Sequence, residues 1–283
     1  MPPSQPLQTA PWRAQFLSHL TKLALPVCSF STIHATSNNN GTIADASSSF
    51  PVATTAPTSW VPRVRTVVFR GMWGTLPENE NNPAERNPRI YESDFLSLTT
   101  DARMDKAQEI SLEGEEGPDG TRGTGGGGPF EAVFWIPDAM TQWRFSGKAY
   151  LLAPDVESDG EASVRVRETL LERMRRVGDG SFSWEREITG HFGNMSPLMR
   201  GSFRNPQPGR PVAEGTGGEG LGLGQKVEDL GDEIARKNFR VVVLVPDEVD
   251  RVDLSELGKA RRWRYRYLGK DADPTWETTE VWP

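Results

Sequence analysis

The chain has 283 residues, 36% of them hydrophobic and 25% charged, with 28 Gly, 22 Pro and a formal net charge of −7. That acidic balance argues against general binding to nucleic acid or to an anionic membrane, while leaving room for a local basic pocket. One cysteine, Cys28, allows no intrachain disulfide and no thiolate zinc site, and His19, His34 and His191 are too scattered to suggest a metal cage or a Ser-His-Asp triad.

The start, Met1-Pro2-Pro3-Ser4-Gln5-Pro6, lacks the charged-then-apolar pattern of a secretory signal. Residues 10–25 place Trp12, Phe16, Leu17, Leu20, Leu23 and Ala24 on one helical stripe, with Thr9 as the expected cap and Pro26 as the stop. Strand-like runs follow at 27–35, 60–71, 93–100, 130–137, 143–153, 239–246 and 261–268. Cys28 falls in the first of them and reads as a buried packing residue. Helical patterns lie at 102–110, 161–177 and 227–236. Low-complexity inserts, expected to be disordered, lie near 37–59, 75–90, 113–129 and 205–225.

The longest apolar run, Val241-Val242-Val243-Leu244-Val245, has strand length and falls far short of the about 20 residues that span a bilayer. A soluble, cytoplasmic chain with no membrane partner and no nucleic-acid partner is expected. The run Gly123-Thr124-Gly125-Gly126-Gly127-Gly128 precedes a strand and lacks a following Lys-Ser/Thr pair, so it is neither a P-loop nor a dinucleotide fingerprint. A flexible linker is the expected reading. Strands adjoining mostly short helices predict a mainly β, α+β fold: an antiparallel β-barrel with peripheral helices, in one domain over 1–283.

Chemistry concentrates in two places. Arg65-Thr66-Val67-Val68-Phe69-Arg70-Gly71 brackets an apolar strand with two guanidinium groups. Leu98-Thr99-Thr100-Asp101-Ala102-Arg103-Met104-Asp105-Lys106 ends a strand in paired hydroxyls and runs into a cationic helical turn. Guanidinium forks, hydroxyls and a Lys near a helix start suit a phosphate. The plainer alternatives are an edge-strand cation with Glu partners for Arg65, ordinary β-formers for Thr99 and Thr100, a solvated strand residue for Gln142, and an exposed helical face for Arg103, the reading preferred there. Arg261-Arg262-Trp263-Arg264-Tyr265-Arg266-Tyr267 alternates cations with aromatics, as single-strand nucleic-acid grooves do, but equally gives a half-buried strand.

Further segments follow in order: Phe134-Trp135-Ile136-Pro137 with Thr141-Gln142-Trp143-Arg144; Met199-Arg200-Gly201-Ser202-Phe203-Arg204-Asn205-Pro206 with Pro208-Gly209; Asn238 to Pro246 with Val249 to Leu254; and the Arg261–Tyr267 strand with Trp276 and Trp282. This order resembles the pyridoxamine 5′-phosphate oxidase-like family of FMN-binding split β-barrels. The resemblance implies FMN as cofactor, oxidoreductase-like chemistry and a homodimer with the flavin between subunits. It implies that Arg65 and Arg70, the latter in place of a Lys, bracket Thr66, Val67 and Val68 along the FMN phosphate and ring edge. Thr99 and Thr100 match an aromatic-Thr pair along the flavin, Lys106 a phosphate-contacting Lys, Gln142 a flavin-bonding Gln, and Arg264 an Arg beside the ring. A spacing of five would place Arg65 and Arg70 on opposite faces of a straight strand, so a bulge or a bend at Gly71 is expected if both touch one ligand.

The departures concern the substrate. Asp105 stands where the oxidases carry Arg, Ala260 and Arg262 replace the Arg-x-His pair that reads pyridoxine phosphate, and Leu254 replaces a Trp. The expected protein is therefore an FMN-binding oxidoreductase of unknown substrate. The alternatives are a non-catalytic FMN carrier or sensor and a true pyridoxine phosphate oxidase.

Overall fold

Val241 to Val245 show no polar alternation because both faces of their strand are covered. Val242 and Leu244 join one core with Phe134, Trp143 and Phe145, whereas Val241, Val243 and Val245 join a second with Trp73, Ile188 and Phe192. The computed structural model describes residues 7–36, 59–111, 121–273 and 275–283. Residues 37–58 of the expected insert near 37–59, and 113–120 of that near 113–129, lie outside the described residues.

In chain order the elements are α1 (Arg13–Leu20), β1 (Val27–Thr36), β2 (Ser59–Val68), β3 (Gly71–Met72), β4 (Tyr91–Glu92), β5 (Leu96–Asp101), α2 (Asp105–Ile110), β6 (Gly125–Ile136) and β7 (Thr141–Leu152). They continue with α3 (Glu161–Leu171), β8 (Arg175–Arg176), α4 (Trp184–Gly193), α5 (Pro197–Gly201), α6 (Glu233–Asn238), β9 (Phe239–Asp253), β10 (Arg261–Tyr267) and β11 (Trp276–Val281). The main sheet runs β11-β10-β9-β7-β6-β1-β2, with β5 paired to β9 and to β3, and every pairing in it is antiparallel. β9 is the hub: it meets β7 over most of its length, β5 along its first half and β10 along its second. Sharing one strand between two partners on the same side splits the barrel, and the fold is the mainly antiparallel split barrel expected.

Helix α1 docks through Trp12, Phe16 and Leu20, with Phe16 edge-on to Phe134, Trp143 and Phe145. It is shorter than the expected 10–25, and Thr9 does not cap it: Trp12 holds the cap position without a side-chain bond. Cys28 is buried, and burial pushes its thiol up to about 12, which makes it a packing residue.

The glycine run is no linker at its C-terminal end. Gly125 to Gly128 open β6 and pair with β7, with a register shift between Gly126 and Gly128. Gly126 has φ +138°, and a Cβ there would meet the Ala149 carbonyl oxygen at 2.7 Å. Glycine is thus required because a bulge brings two backbones together. Thr124 fixes the run's approach by donating to Asp155 at 2.6 Å.

The segments near 75–90 and 205–225 also have defined placements. Asn82 donates to the Gly190 carbonyl at 2.9 Å and to Asn194 at 2.7 Å, and Asn87 donates to Ser183 at 2.8 Å, which ties the first segment to α4. The second is clipped by Arg204, which pairs with Asp232 at 2.8 Å and accepts from the Gly222 amide at 2.9 Å. Their polar composition reflects side chains that bond to backbone where little apolar area is available.

Candidate cofactor site

A cavity of about 730 Å³ opens between the end of β2, the end of β5, the start of α2 and the 202–223 segment. Its barrel wall carries Thr66, Val67, Val68, Arg70, Thr99, Thr100 and Lys106. Its outer wall carries Phe203, Pro206, Pro208, Arg210, Pro211, Val212 and Leu223. Thr100 pairs with Arg240 and Thr99 with Val241 in β9, so the hub strand fixes the floor of the cavity.

The cations of the barrel wall are under-partnered. Arg70 donates from Nε to Thr99 Oγ1 at 3.2 Å, and no carboxylate pairs with it among the described residues. Burial holds its guanidinium below its ordinary range. Lys106 bonds only to the Met104 thioether among the described residues. Burial lowers its ammonium, and nearby Arg65 lowers it further, against Asp101, Glu109 and Asp105. Two part-buried cations without ion pairs, beside two threonines, form a ready anion cradle.

Neighbouring charges are spent elsewhere. Asp101 is gripped by Arg103, with bonds of 2.9 Å from Nε and 2.7 Å from Nη2. Arg103 also donates to the Asn205 carbonyl at 3.0 Å, tying the outer wall to β5. It is therefore no exposed helical cation: its side chain is 12% exposed and structural.

Arg65 lies outside the cavity lining. Its Nη2 sits 2.5 Å from Glu109, which also accepts from Thr32 and bonds His34 at 3.1 Å. The bend expected at Gly71 is present, since the chain leaves β2 at Val68 and turns at Gly71, φ +120°, to join β5 instead of β1, yet only Arg70 lines the cavity. Gln142 and Arg264 also lie outside the lining: Gln142 pairs with Trp135 and Val252, and half-exposed Arg264 reaches Asp250 at 3.4 Å. Arg262 is fixed on the same Asp250 at 2.8 Å.

None of the expected site residues lies on the outer wall, although Ser202-Phe203-Arg204-Asn205-Pro206 is part of one of the ordered sequence segments. Its lining mixes Pro206, Pro208, Pro211, Val212 and Leu223 with Ser202, Asn205, Arg210 and Thr216, a blend with no recognisable chemical signature in the sequence. Among the described residues, no group of His, Cys, Asp and Glu could hold a metal, and no helix is long and apolar enough to cross a membrane.

An antiparallel split barrel with a cation-edged cavity against its hub strand defines the class. The chain belongs to the family described as pyridoxamine 5′-phosphate oxidase, FMN-binding domain, whose model matches residues 9–153. That stretch contains Arg70, Thr99, Thr100, Lys106 and Gln142, but not Arg264 or the outer wall. The chain is 23% identical over 291 residues to the uncharacterised protein YGR017W of Saccharomyces cerevisiae, covering 83% of this chain and 92% of that one. A solved structure of a pyridoxamine 5′-phosphate oxidase-related, FMN binding protein from Nostoc punctiforme PCC 73102 aligns with a TM-score of 0.54 at 18% identity. The alignment covers 98% of this chain and all of that one, and it is a likeness of fold.

Proposed function

We propose that the cavity binds FMN and that the protein is a flavin-dependent oxidoreductase of the pyridoxamine 5′-phosphate oxidase-like family. The observation that carries this reading is the pair Arg70 and Lys106, part-buried cations with no carboxylate partner among the described residues, facing one cavity. The donor set fits a terminal phosphate: guanidinium, ammonium and the hydroxyls of Thr99 and Thr100. The strand end Thr66-Val67-Val68 offers an apolar edge for a flat ring. Bound FMN would supply the electron-accepting chemistry, while these residues bind and orient it.

The working unit in this reading is a homodimer. β2 is largely exposed, with Trp60 at 56% and Val64 at 71%, so an apolar surface is available for a second copy. Gln142 and Arg264, remote from their own cavity lining, would then serve the partner's flavin. In this reading pyridoxine phosphate is a poor substrate, because Ala260 offers no charge and Arg262 is spent on Asp250. That loss also favours the second reading, a non-catalytic FMN carrier, which turnover with NADPH or another reductant would exclude.

The test is mass spectrometry of the ligand released from purified protein after FMN incubation, paired with light scattering. FMN in a dimer is expected. Recovery of FAD, or of no flavin, contradicts the cofactor assignment, and a monomer with full FMN affinity contradicts the dimer.

A further inference from the structure

A second cavity, of about 450 Å³, lies between the 74–89 segment and α4, away from the residues that line the first. Its floor is α4, where Glu187 is 4% exposed and its Oε1 has no hydrogen-bond partner. The other carboxylate oxygen accepts from Asn87 at 3.0 Å. Gly190, one turn on, keeps the floor open, since a Cβ there would meet Leu76 at 2.9 Å.

The rim is cationic. Arg86, Arg89 and Arg186 all line the cavity. Arg86 is anchored by the Leu76 carbonyl and makes no ion pair among the described residues. Among the described residues Arg186 pairs only with the exposed Glu85, at 3.5 Å, and Arg89 pairs with Glu92 outside the cavity. Exposed pairs of this kind are readily exchanged for a better partner. Against these cations stand exposed Glu78 and buried Glu187.

We propose that this second cavity binds a small oxyanion, a carboxylate or phosphate group, between the guanidinium groups of Arg86 and Arg186 and above the carboxyl of Glu187. Guanidinium forks match the two oxygens of such a group. Burial raises the Glu187 carboxyl above its ordinary range, against Asn87, the Gly74 amide and Arg86, so it opposes a nearby anion less than an ordinary carboxylate would. This site is independent of the FMN reading.

Sodium malonate and inorganic phosphate, titrated separately into the full chain by calorimetry at fixed ionic strength, test it. Saturable binding of at least one of them that depends on Arg86 and Arg186 is expected, and which one binds distinguishes a carboxylate from a phosphate source. Arg86→Ala and Arg186→Ala should each weaken that binding by about tenfold or more, as for loss of a charge-assisted hydrogen bond. Lys106→Ala, which removes a cation of the first cavity, should leave the Arg186-dependent binding unchanged. Circular dichroism keeps the variants comparable, and partly exposed Arg186 can be removed without touching the core. Absence of saturable binding overturns the proposal. So does binding that survives Arg186→Ala and vanishes in Lys106→Ala, since the anion would then occupy the first cavity.

Discussion

Arg65 Nη2 lies 2.5 Å from Glu109, whose side chain is 2% exposed, so the first arginine of the leading motif braces the barrel instead of lining the cavity. The Glu109 cluster joins β1, β2 and α2 through Thr32, His34 and Arg65. Because α2 also carries Lys106, this brace fixes the helix that presents the cavity's ammonium.

Arg65→Ala should therefore act first on stability. Removing one partner of a well-buried pair costs about 3–5 kcal/mol; solvent reaches 22% of the Arg65 side chain, so a loss of about 1–3 kcal/mol is expected. Burial pushes the Glu109 carboxyl up, but bonds from Thr32 and Arg65 outweigh it and hold the carboxyl below its ordinary 4.5. A depressed carboxylate contributes stability above its unfolded value and loses it as pH falls through the folded one. The gap between wild type and Arg65→Ala in urea melts should thus be full at pH 7 and shrink below pH 4.5. A variant as stable as wild type that has lost flavin affinity would return Arg65 to the phosphate site.

His191 provides a second pH test. It stacks on Trp73 with ring centroids 5.7 Å apart, both ring nitrogens lack partners, and burial followed by Arg70 lowers it from 6.5 to about 3. The folded state excludes a proton that the unfolded chain takes up below pH 6.5, so stability is lost as pH falls below that value. Between pH 7.5 and 5.0 this amounts to about 2 kcal/mol. His191→Phe keeps an aromatic on Trp73 and should show that much less acid destabilisation. Glu187 contributes the opposite slope, stability falling as pH rises above 4.5, but it is present in both proteins and cancels. Equal slopes in the two proteins would contradict the buried neutral histidine.

Gly126→Ala should destabilise the barrel by about 1–3 kcal/mol, because a Cβ is forced into a positive φ and against the Ala149 carbonyl. Gly127 has no atom within 4 Å of a built Cβ, so Gly127→Ala, although strained at φ +101°, should cost less. Thermal melts of the two variants decide this; equal, negligible shifts would restore the linker reading of the glycine run.

The sequence exposed strands best where burial was strongest. The Val241–Val245 run and the Arg65–Arg70 segment were legible because both are apolar and β-branched. α4 escaped notice although Trp184, Ile188 and Phe192 recur every four residues and Ser183 caps it, accepting from the Arg186 amide at 3.1 Å. Its glycines, its threonine and its buried Glu187 and His191 hid the stripe. β11 was missed because Trp276-Glu277-Thr278-Thr279-Glu280-Val281 is an exposed, polar edge. Among the candidate site residues, Arg70, Thr99, Thr100 and Lys106 converge on one cavity, while the destination of Arg65 depended on Glu109, distant in sequence and visible only once α2 folds against β1 and β2.

The most direct test of the cofactor claim is an FMN titration of wild type beside Lys106→Ala, Arg70→Ala and Arg103→Ala, read by flavin fluorescence. A charge-assisted hydrogen bond to phosphate contributes about 1.5–3 kcal/mol, so the first two variants should each bind FMN about tenfold or more weakly. Arg103→Ala should do much less to affinity, since that side chain is committed to Asp101. Wild-type affinity in both Lys106→Ala and Arg70→Ala, or no FMN binding by the wild-type protein, would contradict the account.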